Sequence, residues 1–382
     1  MQHGVIIIGT GLAGYMLAKE WRKLDNTTPL TIITKGKGDF YSKPLLSTAL
    51  THAKTPDVLP TASAEQMAEQ LSAKILRETT VTRIDAENKT VHVDGEILAY
   101  NKLVLAFGAD VIMPPLQGDA VDDVLSVNSI EDYVQFRDAL SPSAKIIILG
   151  AGLVGCEFAN DLANVQHPVH VVAPAEYPVD RLLTPELGNV VKTALSSSGV
   201  IWHLQQTAVS INHHNNALHV TLSDGTLLEA DVVLSAIGLR PHIELAQSAG
   251  LRVARGVMVN RQLRTSDENI FALGDCAEVC GVVLQYIAPL LACTRALAKT
   301  LHGEPTDVVY PAMPVVLKTP ACPVVVAPAP QDVTGKWQLN GEGVDWCALF
   351  HDQENRLRGF ALTGVRCKER AELQKQLPPV FG

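Results

Sequence analysis

The apolar run Val5-Ile6-Ile7-Ile8 leads straight into Gly9-Thr10-Gly11-Leu12-Ala13-Gly14. Four successive apolar residues suit a strand of a parallel sheet, whose two faces are both covered. The glycines mark a tight turn. The residues beyond them suit a helix of roughly 10 to 15 residues, the order of a βαβ unit. The same pattern returns in Lys145-Ile146-Ile147-Ile148-Leu149-Gly150-Ala151-Gly152-Leu153-Val154-Gly155.

The repetition continues downstream. Val91-His92-Val93-Asp94-Gly95-Glu96-Ile97 alternates around an Asp-Gly pair, a hairpin signal, and Leu103-Val104-Leu105-Ala106-Phe107-Gly108 follows as a buried strand. In the second half, Leu218-His219-Val220-Thr221-Leu222-Ser223-Asp224-Gly225-Thr226-Leu227 alternates in the same way and precedes Val232-Val233-Leu234-Ser235-Ala236-Ile237-Gly238. Two copies of fingerprint, hairpin and buried strand predict two similar nucleotide-binding domains. From Pro311 to Pro330 the chain turns Pro-rich and β-branched, which reads as strands and turns rather than a third nucleotide domain. The predicted fold is α/β, with two Rossmann-like domains and a small C-terminal α/β domain. Residues 1–110 and 239–310 form the first domain, 111–238 the second and 311–382 the third.

Each fingerprint assigns its glycines separate tasks. The first makes the tight turn, the second lets a pyrophosphate approach the backbone, and the third allows close helix–strand packing. The helix N-terminus adds partial positive charge. Gly9, Thr10, Gly11, Leu12, Ala13 and Gly14 form one such set, and Gly150, Gly152, Leu153, Val154 and Gly155 the other. A carboxylate about 20 positions further on commonly holds the ribose. After the first fingerprint that place reads Leu30-Thr31-Ile32-Ile33-Thr34-Lys35, with no carboxylate, so Thr34, Lys35 or a backbone group must substitute. After the second, Ala173 occupies the strand end and Glu176 comes slightly late. Glu176, with no Arg between Gly155 and Arg181, favours NADH over NADPH, because a carboxylate repels a 2′-phosphate.

Composition changes little in this picture. The chain has 382 residues, 47% hydrophobic and 19% charged, with a formal net charge of −9. That acidity argues against non-specific binding to nucleic acid or anionic membranes. The absence of a basic leader and of a bilayer-length apolar stretch points to a cytoplasmic protein. Seven irregularly spaced cysteines suggest neither a disulfide framework nor a metal site.

With these residues in place, the chain resembles the FAD-dependent pyridine nucleotide reductases of the glutathione-reductase type. Within them it is most similar to rubredoxin reductases and flavorubredoxin reductases. The resemblance runs over essentially the whole chain. Thr265-Ser266-Asp267-Glu268-Asn269-Ile270-Phe271-Ala272-Leu273-Gly274-Asp275-Cys276 matches the family's second FAD motif, which implies that Asp275 accepts a hydrogen bond from the flavin ribityl chain. Tyr41-Ser42-Lys43-Pro44-Leu45-Leu46-Ser47 matches the segment beside the isoalloxazine. Disulfide reductases carry a cysteine pair there, whereas this chain has no cysteine before Cys156. Without a thiolate to relay electrons, they should leave the flavin directly for an external carrier.

The resemblance further implies that Lys43 pairs with Glu157 near flavin N5, and that the helix after Gln285-Tyr286-Ile287-Ala288-Pro289 points its N-terminus at flavin O2. It also implies that Lys318 approaches the flavin from the C-terminal domain. Val81, Ala106, Gly108, Ile287 and Gly238 complete the expected cofactor-binding set. The implied activity is NADH-dependent reduction of rubredoxin by a FAD enzyme, two single electrons following each hydride, with an alkane hydroxylase as the expected consumer. Reduction of flavorubredoxin or ferredoxin, or a low-turnover redox sensor, are the alternatives. Docking of an acidic rubredoxin needs a local basic patch, for which Lys35, Lys37, Arg295, Arg366, Lys368 and Arg370 are the candidates. A C-terminal domain of about 70 residues, with no thiol site for a second subunit to complete, suggests a monomer.

Overall fold

The computed structural model describes residues 3–381. Both apolar runs become the fully buried centres of parallel sheets. In the first sheet the order is Ile270–Ala272, Lys102–Leu105, Val5–Ile8, Leu30–Ile33, Lys74–Leu76, every pair parallel. In the second it is Val200–Leu204, Val169–Ala173, Ile146–Leu149, Val232–Ser235, Leu125–Ser126, again all parallel. Each sheet has a three-stranded antiparallel companion. One comprises Val81–Asp85, Thr90–Val93 and Glu96–Ala99; the other comprises Ala208–His214, Ala217–Leu222 and Leu227–Ala230. In the first, Asp94 and Gly95 take φ of 43° and 86°, the left-handed pair that a tight hairpin turn requires. The duplication read from the sequence is therefore a duplication of topology.

The chain crosses between the two units twice, at Ala109–Val111 and Leu239–Pro241. These crossings pair with each other as a short antiparallel ribbon. The third unit is a five-stranded antiparallel sheet in the order Val315–Leu317, Val324–Ala327, Leu357–Thr363, Asp345–Asp352, Gly335–Glu342. The helix Arg370–Gln376 closes one of its faces, with Leu373 packed on Val325, Phe360 and Leu362.

The helix Leu153–Asn164 sits where all three units meet, and it is buried continuously from Gly155 to Ala163. Phe158 and Ala159 on this helix share a core with Leu46 and Ala49 of the first unit and with Leu317, Val324 and Ala361 of the third. A helix buried all round must satisfy its polar side chains internally. Its Glu157, Asn160 and Asp161 are all buried, so their partners fix the relation between the units. No helix among the described residues is long and apolar enough to cross a membrane.

Candidate active site

One cleft of about 2170 Å³ runs between the two parallel sheets and under the C-terminal sheet. The two fingerprints enter it with the same backbone geometry. Gly9 and Gly150 have φ of +118° and +116°, and a Cβ on either would meet a carbonyl oxygen, of Ala106 at 2.2 Å or of Ala236 at 2.5 Å. Gly11 and Gly152 have nothing within 4 Å of a Cβ position and line the cleft, so a side chain there would fill the space the turn leaves open. Both are helix N-caps without a side-chain cap, which leaves first-turn N–H groups free for an anion. Gly14 and Gly155 do not line the cleft. A Cβ at either would come within 2.0 Å of the first glycine's carbonyl oxygen. The structure therefore gives these two a packing role, holding helix to strand, and does not bring them to the cleft wall with the rest of the expected cofactor-binding set.

The remaining FAD-side residues, Thr34, Lys35, Lys43, Val81, Ala106, Gly108, Asp275, Ile287 and Lys318, all line the cleft, as do Leu153, Val154, Glu157 and Gly238. Where the sequence lacks a ribose carboxylate, Thr10 Oγ1 donates to Thr34 Oγ1 at 2.9 Å, and the Gly36 N–H donates to the same oxygen at 3.3 Å. The strand end is thus a hydroxyl pair in place of a charge. Glu176 is exposed and outside the lining, which corrects the expected ribose contact. Three residues past the strand Val169–Ala173, the chain has already turned out of the cleft. Asp180 and Arg181 line it instead, two neighbouring charges of opposite sign.

The helix expected after Pro289 begins earlier, at Ile287, with Tyr286 as an N-cap that lacks a side-chain hydrogen bond. Pro289 falls in its first turn, where a missing N–H costs nothing. The N-terminal end of this helix faces the cleft through Ile287, Ala288 and Leu290. Asp275 also lies in the cleft. Burial pushes its carboxyl above the usual carboxylate range, with Lys43 pulling the other way. No protein donor satisfies it among the described hydrogen bonds, which fits a hydroxyl-bearing ligand. These features fit FAD on the first fingerprint and a nicotinamide dinucleotide on the second.

The expected Lys43–Glu157 pair does not form, a second correction. Glu157 instead binds the C-terminal unit: Lys318 Nζ lies 3.1 Å from Oε2, and the Lys318 backbone N–H donates to Oε1 at 3.0 Å. Ser47 Oγ donates to Oε2 at 2.5 Å, and Lys318 Nζ also donates to the Pro44 carbonyl. Asp161, one turn further along, accepts the Leu50 and Thr51 N–H groups at 3.0 and 2.7 Å. The reason for the altered pairing is position. Lys43 points into the cleft from the first residue of the short helix Lys43–Thr48, whereas Glu157 is buried beneath that helix beside Ser47. Lys43 Nζ donates to Asn128 Oδ1 at 3.2 Å. Crowding by protein lowers the Lys43 pKa, an effect opposed first by Asp275 and then by Asp132. Ser47 and Asn128 carried no signal of their own in the sequence, since each is 110 or 85 residues from its partner.

No cysteine lines the cleft, although all seven are described. Lys35, Lys37 and Arg370 of the candidate basic patch line it, while Arg366 is occupied by Glu369. At the crossing ribbon, His242 Nδ1 lies 2.7 Å from Asp110 Oδ2 and 3.5 Å from Glu244 Oε2, a polar contact the sequence did not suggest.

A doubly wound, two-fingerprint fold around one cleft, with a lysine, a buried carboxylate and a helix N-terminus at its centre, defines a two-nucleotide oxidoreductase. The chain belongs to the pyridine nucleotide-disulphide oxidoreductase family, whose model matches residues 3–297. A rubredoxin binding C-terminal domain matches residues 307–377. The chain is 49% identical to the rubredoxin-NAD(+) reductase of Alcanivorax borkumensis, over 99% of this chain and 100% of that one. It is 43% identical to the rubredoxin-NAD(+) reductase of Acinetobacter baylyi, over 99% of both chains. Among solved structures, a ferredoxin reductase from Rhodopseudomonas palustris superposes with a TM-score of 0.89 at 25% identity, covering 99% of this chain and 96% of the other.

Proposed function

We propose that the protein is a FAD-dependent NADH:rubredoxin reductase. Support rests on the lining of one cleft. It joins both fingerprints and contains no cysteine, and the domain that contributes Lys318 to it matches a rubredoxin-binding family. A disulfide relay has no residue to run on here. FAD, when bound, would supply a hydride acceptor and a one-electron donor in the same ring system.

The chain's own residues bind, orient and bias. The helix ends at Gly11 and Gly152 each offer free N–H groups and positive partial charge to a pyrophosphate. Asp275 would accept a hydrogen bond from a hydroxyl of FAD in the first unit's part of the cleft. Lys43 places a cation in the cleft, and the helix end at Ile287 adds positive potential, so negative charge arriving with the hydride is stabilised. Glu157 fixes Lys318 at the junction of the three units, and this sets the C-terminal domain over the site.

The test is stopped-flow mixing of NADH-reduced, FAD-loaded protein with oxidised rubredoxin. The expected result is reduction of two rubredoxins per NADH at a rate that keeps pace with turnover. Rapid reduction of an artificial dye together with slow reduction of rubredoxin would overturn the assignment of the acceptor.

A further inference from the structure

With Glu157 committed to Lys318 and Ser47, the lysine that faces the cleft must be held by something else. Its one hydrogen-bond partner among the described residues is Asn128. We infer that Asn128 is the residue that positions Lys43, holding the ammonium at a fixed place in the cleft across the boundary between the two nucleotide-binding units.

The Asn128 amide is engaged at both its nitrogen and its oxygen, which fixes its orientation. Its Nδ2 donates to the Ala109 carbonyl at 2.8 Å, so its Oδ1 is turned to accept from Lys43 Nζ at 3.2 Å. Its backbone N–H donates to Asp132 Oδ2 at 2.9 Å, which also accepts from the Ser129 N–H and closes the capping box of the helix Ile130–Asp138. One residue therefore ties together a helix cap, the first strand of the crossing ribbon and the Lys43 side chain. Every partner of Asn128 other than Lys43 is structural, and all lie behind it in the second nucleotide unit or the ribbon.

A lysine has three donors on a flexible stem and loses much rotamer freedom when fixed. Asp275, Asp132 and Asp110 all attract Lys43, while Lys35 repels it. Attraction from several sides does not by itself select one position. A directional acceptor does, because a hydrogen bond weakens steeply with angle. Asn128 supplies that direction without adding charge, so the cation stays available to a negatively charged ligand in the cleft. A carboxylate in the same place would neutralise it.

This inference rests on the reading of the cleft as a flavin site, and its test does not involve rubredoxin. In FAD-loaded Asn128→Ala the backbone bonds to Asp132 remain, but the cation is free to wander. The reduced-to-oxidised flavin ratio at a fixed NADH/NAD+ poise is expected to fall about tenfold, a drop of about 30 mV in midpoint potential. The rate of flavin reduction should fall while the NADH dissociation constant holds. Lys43→Met should lower the ratio at least as much, and the double variant no further. An unchanged potential in Asn128→Ala, or additive effects in the double variant, overturns the proposal.

A second measurement uses the protein without FAD, and so stands even if Asn128→Ala does not fold. In Asn128→Asp a full charge replaces the neutral acceptor, so Lys43 holds its proton more tightly. Amine-directed acylation at Lys43, followed by mass spectrometry at one alkaline pH, should slow about tenfold relative to the wild type. Acylation at the wild-type rate also overturns the proposal. If both results appear while rubredoxin is not reduced, the positioning role stands and the proposed acceptor is wrong.

Discussion

Replacing Glu157 by alanine removes the acceptor that joins the C-terminal domain to the central helix. In the wild type this carboxylate is 6% exposed and receives the Lys318 backbone N–H, Lys318 Nζ and Ser47 Oγ. The stranded Lys318 N–H costs about 1–3 kcal/mol. The ion pair adds less, because the Lys318 side chain is 35% exposed and can turn to water and to the Pro44 carbonyl. Its loss is worth about 0.5–1 kcal/mol. Taken together, about 1.5–4 kcal/mol of local stability disappears at the junction, which amounts to roughly a 10- to 900-fold increase in the local opening equilibrium. The direct observable is amide hydrogen exchange at Lys318, followed by mass spectrometry of peptides covering 315–321. Exchange there should accelerate by that factor in Glu157→Ala, with a smaller rise at 43–48 from the freed Ser47. Exchange in the sheet around Val5–Ile8 should not change. If Lys318 exchanges at the wild-type rate, Glu157 does not hold the C-terminal domain in place, and the account of this junction is wrong.

Gly152→Ala puts a methyl group into open space at the second fingerprint, so the protein should fold and keep FAD while its KM for NADH rises about tenfold; an unchanged KM would remove Gly152 from the NADH site. Gly14→Ala forces a Cβ to within 2.0 Å of the Gly9 carbonyl oxygen, so it should yield little folded protein, and a wild-type melting temperature would refute that packing role. Asp275 has its carboxyl pKa raised by burial. In the FAD-free protein its contribution to stability is complete below the unfolded-state carboxyl pKa and is lost as pH rises through the elevated value. Asp275→Asn should therefore be more stable than the wild type at neutral pH without FAD, with the difference closing in acid, as read by urea unfolding; it should also bind FAD about 10- to 100-fold more weakly. Rubredoxin reduction should slow with rising salt, and more steeply in the wild type than in Arg370→Glu; equal rates from low to high salt exclude electrostatic steering by the basic rim.

The sequence by itself determined everything that is written in neighbouring residues. The unbroken Val5–Ile8 and Ile146–Leu149 runs required strands covered on both faces, and the glycine spacing required a turn, an open pyrophosphate site and a tight helix contact in that order. The Asp94–Gly95 pair required a left-handed hairpin turn. The lack of any cysteine before Cys156 already excluded a thiol within the Lys43 segment. These features are legible because the physics behind them acts over a few residues: backbone sterics, side-chain periodicity and the helix end.

Only the tertiary structure decided which distant groups meet. The family resemblance placed Lys43 and Glu157 in one site but could not say that Glu157 lies beneath the Lys43–Thr48 turn, with its carboxylate turned to Ser47 and Lys318 and not to the Lys43 side chain. A buried helix had to find donors for its carboxylates: Ser47 and Lys318 serve Glu157, and the Leu50 and Thr51 N–H groups serve Asp161, brought there by the packing of Leu46, Phe158 and Leu317 in one shared core. Lys43 was left to Asn128 for the same reason. The exact turn after Ala173, which sends Glu176 to solvent and brings Arg181 to the cleft, was equally hidden, because the course of a loop depends on what it packs against.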